Sequence, residues 1–178
     1  MSFLGEDWRE GPEGVRFRHA ARVLVFDADR RLLLARGHDV DNPKRCWWFT
    51  IGGGRADEEH PKDAAVRELR EETGIALTPG DLIGPVLTRA AVFDFAAETV
   101  RQYETFFVAY LSESVRLDTS GWTPIEKAMI VDLKWWNLDD LACHDEQVYP
   151  EGLAGIARDL VDGWDGAVIH LGEVHDRK

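Results

Sequence analysis

The stretch GGGRADEEHPKDAAVRELREETGI, residues 52–75, decides how the chain is read. Its three consecutive glycines break regular structure and allow close approach of a ligand to the backbone. Pro61 suits the first position of a helix with His60 as its cap, and Gly74 supplies a stop, so the spacing predicts a helix over 61–73. Within it Glu68, Glu71 and Glu72 stand at i, i+3 and i+4 and are predicted to share one face. Ala65, Val66, Leu69 and Thr73 cover an adjoining face suited to packing on a sheet. Three carboxylates on one face repel by a few tenths of a kcal/mol per pair in water. A hard divalent cation, Mg2+ or Mn2+, removes that conflict. A Glu/Arg-rich helix taken alone is more commonly a solvated face. The glycine loop just upstream, and Glu59 eight residues before Arg67, weigh against that reading here.

Working outward, residues 19–26 (HAARVLVF) and 31–35 (RLLLA) read as two strands of a hairpin turned at residues 27–30. Residues 37–45 form a polar loop and 46–51 a short aromatic strand. Downstream, residues 85–95 and 100–111 read as two long strands joined at 96–99. Residues 112–126 read as a loop and 128–136 as a further strand. Asn137 caps a short helix over 138–142, a last helix spans 150–164, and an edge strand is expected near 167–171. Residues 1–17 are a poorly patterned lead-in. Without repeats or an interdomain linker, the expectation is a single domain over residues 1–178, of α/β class with helices on both sides of a sheet.

Composition narrows the function. The chain has 178 residues, 44% apolar, with seven Trp, which excludes a disordered chain and allows a real core. No apolar run approaches the roughly 20 residues of a membrane helix. The N-terminus lacks a signal pattern, and Cys46 and Cys143 are too few for a disulfide framework, so a reducing cytoplasm is expected. A net charge of -12 disfavours a nucleic-acid backbone as ligand. An anionic substrate is still accessible if metal ions neutralise the local charge.

Gly53, Glu59, Arg67, Glu68, Leu69, Glu71, Glu72, Gly74 and Ile75 match, without a gap, the box of the Nudix hydrolase superfamily, which this chain resembles. Seven fixed residues, each at roughly 5–7% usage, agree by chance far less than about once in a hundred million positions. Weaker resemblance extends through the hairpin, Trp48 and the segment Trp135 to Leu141. The resemblance implies an α/β/α sandwich with a mixed β-sheet. It implies hydrolysis of a nucleoside diphosphate linked to another group, with Mg2+ (or Mn2+) held by Glu68, Glu71, Glu72 and the Gly52 carbonyl. Arg67 and Glu59 are implied as the pair that orients the glutamates, a role that fixes ligand geometry. Glu68 is the first choice for general base. Glu126 is the second, an ordinary exposed loop glutamate being the competing reading. Ile51, where many members carry Pro, and Ala56, where many carry Glu, depart from the family without touching the strict pattern.

Phe93, Tyr103, Arg101 and Arg36 are the candidate substrate contacts, although aromatics in strands are more often core and single arginines often only surface charge. His38, His60 and His144 have no zinc-ligand spacing. The proline and tyrosine markers of the coenzyme A and nicotinamide subgroups meet residues 90–93 (AAVF) instead, so the leaving group is open, as is a homodimer. Two alternatives stand beside the hydrolase: a catalytically silent nucleotide sensor, which usually shows a degraded box, and an isopentenyl-diphosphate-type isomerase, whose cysteine motif Cys46 does not resemble.

Overall fold

The computed structural model of the chain describes residues 5, 7–39, 42–95, 98–113 and 115–176. In chain order the elements are β1 (Arg9–Glu10), β2 (Arg16–Phe26), β3 (Leu32–His38), β4 (Cys46–Gly54), α1 (Pro61–Thr73), a 3-10 turn (Pro79–Asp81), β5 (Ile83–Phe95) and β6 (Glu98–Tyr110). There follow α2 (Pro124–Met129), β7 (Ile130–Trp136), α3 (Leu138–Ala142), β8 (Gln147–Tyr149), α4 (Leu153–Leu160) and β9 (Ile169–His175). The strands join in one mixed sheet of order β7-β3-β4-β2-β6-β5-β9, with β1 on β2 and β8 on β4. The central pair β2–β6 is parallel, as are β4–β8 and β5–β9; the other ladders are antiparallel.

Both faces of this sheet are covered, which is why β2 reads as a nearly continuous apolar run. Ala21, Val23 and Val25 point to one core with Ala64, Ala65 and Leu69 of α1. Leu24 and Phe26 point to the other, with Leu138 and Leu141 of α3 and Leu153, Ala157 and Leu160 of α4. The architecture is thus helix, sheet, helix. Among the described residues no helix is long and apolar enough to cross a membrane.

The helix α1 has the bounds its local signals predict. The His60 side chain accepts from the Lys62 N–H at 3.2 Å, and Gly74 closes the helix in the left-handed conformation with its N–H on the Arg70 carbonyl at 2.9 Å. Elsewhere tertiary pairing overrides side-chain pattern. Residues 9–10 and 16–17, expected in a lead-in, belong to strands because β2 runs alongside β6 from Arg16 onward. Gly52, Gly53 and Gly54 extend β4 because they pair with Arg22, Ala21 and Ala20. The expected loop over 112–126 carries the start of α2, whose Thr123-x-x-Glu126 sequence forms a capping box. The last helix is shorter than expected, β8 is an addition, and the final strand lies two residues later at its start and four at its end, in parallel register with β5. The expected 96–99 connection falls partly outside the described residues.

One ion pair ties the strands to the loop before β8. Glu146 accepts from Arg36, including Nε at 2.8 Å, and from the Trp48 indole at 2.9 Å. Arg36 holds the Glu146 carboxyl down from an ordinary value of 4.5 to about 2. A depressed folded-state value means the carboxylate stabilises the fold above the unfolded value, and that this is lost as pH falls through the folded one. Glu146→Gln should therefore be less stable than the parent at pH 7. The gap should narrow below about pH 4.5 and close near pH 2, measured by urea unfolding at stepped pH.

Candidate functional site

Helix α1 lies across the end of β4, so its buried face meets the glycine run. A Cβ on Gly53 would come within 2.5 Å of Glu68 Oε2, so only glycine lets that carboxylate lie against the strand. Gly52 has φ +131°, a region that side chains rarely adopt, and a Cβ there would run into the Ala21 carbonyl. This backbone turns the Gly52 N–H toward Glu72, whose Oε2 accepts it at 2.9 Å.

Glu68 and Glu72 are buried, at 9% and 4% exposure, while Glu71 is exposed. The expected common face is therefore graded in depth, with Glu71 at its solvent edge. At about 100° per residue, positions i and i+4 differ by about 40°, whereas i+3 falls on the opposite flank. Glu71 accepts from Arg67 Nη1 at 3.3 Å on the solvent side. A third carboxylate near Glu68 and Glu72 comes from elsewhere: half-buried Glu126 joins them, each offering a carboxylate oxygen within 4.8 Å of the others. Glu126 reaches them because the preceding loop is docked on α1. The Asp118 N–H donates to the Thr73 carbonyl at 2.8 Å and the Trp122 indole to the Glu72 carbonyl at 2.7 Å. The other role of Glu126 is local, since its Oε2 caps the Thr123 N–H at 2.6 Å.

Arg67 is the hub of the site. Nε and Nη2 grip Glu59 at 2.8 and 3.0 Å, Nη1 donates to Glu68 Oε1 at 2.6 Å, and Nη2 also reaches the Gly54 carbonyl at 3.0 Å. This fork–fork geometry is the strong form of an Arg–carboxylate pair. The Arg67 hydrogen bond holds the Glu59 carboxyl below its ordinary value. Burial raises Glu68, against the pull of Arg67. Burial, with Glu68 adding to it, pushes Glu72 up to about 8, although the Gly52 N–H opposes the shift. Three carboxylate oxygens within 4.8 Å of one another are a donor set that suits a hard divalent cation.

Of the other candidates, Tyr103 is 39% exposed and stacks on His19, centroids 5.3 Å apart, with Phe17 edge-on to its ring. Arg101 pairs with Glu173 at 3.1 Å beside this aromatic group. Phe93 is half-buried on β5, and Arg36 is committed to Glu146. Sequence reading passed over His19 and Phe17, and also Arg22 and Glu104, a buried ion pair at 2.9 Å. A charged residue at a buried or half-buried position of a largely apolar strand, Arg22 in β2 and Glu104 in β6, was the signal for the latter.

The family model for the NUDIX domain matches residues 16–157. The chain belongs to the Nudix hydrolase superfamily. The RNA pyrophosphohydrolase of Halorhodospira halophila is 27% identical over 161 residues, 84% of this chain and 86% of that protein. The diphosphoinositol polyphosphate phosphohydrolase 3-beta of Bos taurus is 28% identical over 140 residues, 75% of this chain and 73% of that one. A MutT protein from Bacillus halodurans shares the fold with a TM-score of 0.56 over 88% of each chain at 18% identity. In this Nudix chain, then, Glu126 from outside the sequence pattern joins Glu68 and Glu72 from within it.

The electrostatics set the pH behaviour of the metal-free protein. A carboxyl raised from 4.5 to about 8 on folding makes the folded state bind the extra proton between those values. Stability is therefore lost as pH rises from about 4.5 to about 8. In a chelator, Glu72→Gln should match the parent near pH 4 and become increasingly more stable toward pH 8. Equal stability across that range would show that Glu72 ionises without penalty.

Proposed function

We propose that this Nudix hydrolase cleaves the diphosphate linkage of a nucleoside diphosphate derivative by water attack, with Mg2+ as its cofactor and Mn2+ able to replace it. The observation that carries this reading is the group of Glu68, Glu72 and Glu126, three carboxylate oxygens within 4.8 Å. Charge that costs this much to bury is retained where a cation compensates it. Glu68, Glu71 and Glu72 with the Gly52 carbonyl are the ligand set that the Nudix pattern proposes. The burial of Glu68 and Glu72, and the nearness of Glu126, favour those three as the inner group, with Glu71 on the solvent side.

A bound divalent cation would neutralise charge on the anhydride and acidify a water. The protein's own groups do the rest. Glu68 takes the proton of the attacking water as its oxygen bonds to phosphorus and the bridging P–O bond breaks. Burial brings its carboxyl closer to working pH, which suits a general base. Glu126 is the second candidate for that proton. Arg67 fixes the carboxylate of Glu68, and Glu59 fixes Arg67, so the base meets water in one orientation. Tyr103, Phe93 and Arg101 are proposed to hold the remainder of the substrate; Arg36 would first have to leave Glu146. The two relatives, an RNA pyrophosphohydrolase and a diphosphoinositol polyphosphate phosphohydrolase, differ in what carries the pyrophosphate. The leaving group is thus what a substrate panel must identify.

With Mg2+ and a panel of nucleoside diphosphate derivatives, RNA with a pyrophosphate linkage and diphosphoinositol polyphosphates, phosphorylated products should be released from at least one nucleoside-linked class; release from the inositols alone would overturn the nucleoside reading. Glu68→Gln should lower kcat by roughly 100-fold or more, while Glu126→Gln should cost less if Glu68 is the base. A panel that yields tight binding but no product would favour the sensor instead.

A further inference from the structure

Arg22 lies on β2 opposite Gly52 in the β2–β4 register, with its side chain 11% exposed. Its guanidinium spans three acceptors. Nη1 donates to the carbonyls of Thr50 at 3.0 Å and Gly52 at 2.6 Å, and Nε donates to Glu104 at 2.9 Å. Glu104, itself 3% exposed, is held on its other sides by Arg89 and by Gln102 Nε2 at 2.6 Å. Arg89 in turn reaches Asp176, just past β9, at 2.9 Å. A chain of bonds therefore runs from Asp176 through Arg89, Glu104 and Arg22 to the Thr50 and Gly52 carbonyls, and the Ile51–Gly52 peptide that these flank donates its N–H to Glu72.

A buried ion network of this kind is weak evidence for stability, because desolvating its charges offsets most of their attraction. Its best-attested contribution is a fixed arrangement, and the group it fixes is the peptide with the least rigidity of its own. Gly52 sits at φ +131° with no side chain to anchor it.

We propose that Arg22 is a positioning residue for the acid cluster: by holding the Thr50 and Gly52 carbonyls, on either side of the Ile51–Gly52 peptide, it aims that peptide's N–H at Glu72 and so holds Glu72 beside Glu68 and Glu126. Glu104, Arg89 and Asp176 hold Arg22 in turn. The link to metal binding rests on the reading of that cluster as the metal site, whereas the link to the Gly52 peptide rests on the hydrogen bonds alone.

The full chain is compared with Arg22→Lys, Arg22→Met and Glu104→Gln by three measurements: the amide proton shift of Gly52, Mn2+ affinity by electron paramagnetic resonance with the metal alone, and the thermal midpoint. Lysine keeps the charge but not the fork. The Gly52 amide, drawn downfield by its carboxylate partner, should move upfield in Arg22→Lys and Arg22→Met alike. Mn2+ affinity should fall about 10-fold or more, the usual cost of losing a group that orients ligands. In turnover, kcat should fall with KM little changed. Glu104→Gln, which keeps the shape of the network, should move the same readouts less far, and it stands in if an Arg22 variant does not fold. A folded variant that loses thermal stability but keeps the parent's amide shift and Mn2+ affinity would overturn the inference, as would full rescue by lysine. If the parent chain itself bound no Mn2+, the metal reading would fall, and the amide shift would still decide whether Arg22 sets the Gly52 peptide.

Discussion

The Glu72 carboxyl lies under the Gly52 peptide, bonded to its N–H at 2.9 Å, with Glu68 and Glu126 alongside. Burial alone makes an isolated carboxylate there costly, and a second carboxylate beside it raises the cost. The rest of the site is organised around that constraint. Arg67 compensates Glu68 from one side and is gripped by Glu59, while the Arg22 guanidinium, paired with Glu104, only partly offsets the burial of Glu72. What remains is a site whose charge is balanced only when a proton or a cation enters it.

The fold brings these groups together by simple means. The sheet is covered on both faces, and α1 packs through Ala64, Ala65 and Leu69 onto the alternate positions of β2. That packing sets the height of α1 over β4, and the absence of a side chain at Gly53 sets how closely Glu68 can approach the strand. On the opposite face, Arg22 and Glu104 stand where the apolar core gives way to polar residues. The two faces meet at residue Gly52, whose carbonyl accepts from Arg22 on one and whose N–H donates to Glu72 on the other.

Much of this was legible in the sequence wherever the signal was local. His60, Pro61 and Gly74 bound α1 because caps act within one turn. Residues 53–75 carry the family pattern, and with it the chemistry. What sequence could not reveal depends on pairing between distant segments. Glu126 is named from the sequence as the second candidate for general base, but its place beside Glu72 follows from the docking of Asp118 and Trp122 on α1. The capping box at Thr123 was readable but hidden by the expectation of a loop. Arg22 and Glu104 meet only because β2 and β6 run parallel in a register no single strand discloses. Arg36 looked free in the sequence, while its partner Glu146 lies far along the chain.

The central claim is that Glu68, Glu72 and Glu126 form one cation site. Anomalous diffraction from crystals equilibrated with Mn2+ tests it directly. The account predicts a Mn2+ peak in coordination contact with carboxylate oxygens of all three residues. A peak held by Glu71 on the solvent face, with Glu72 still bonded only to the Gly52 N–H, would contradict it.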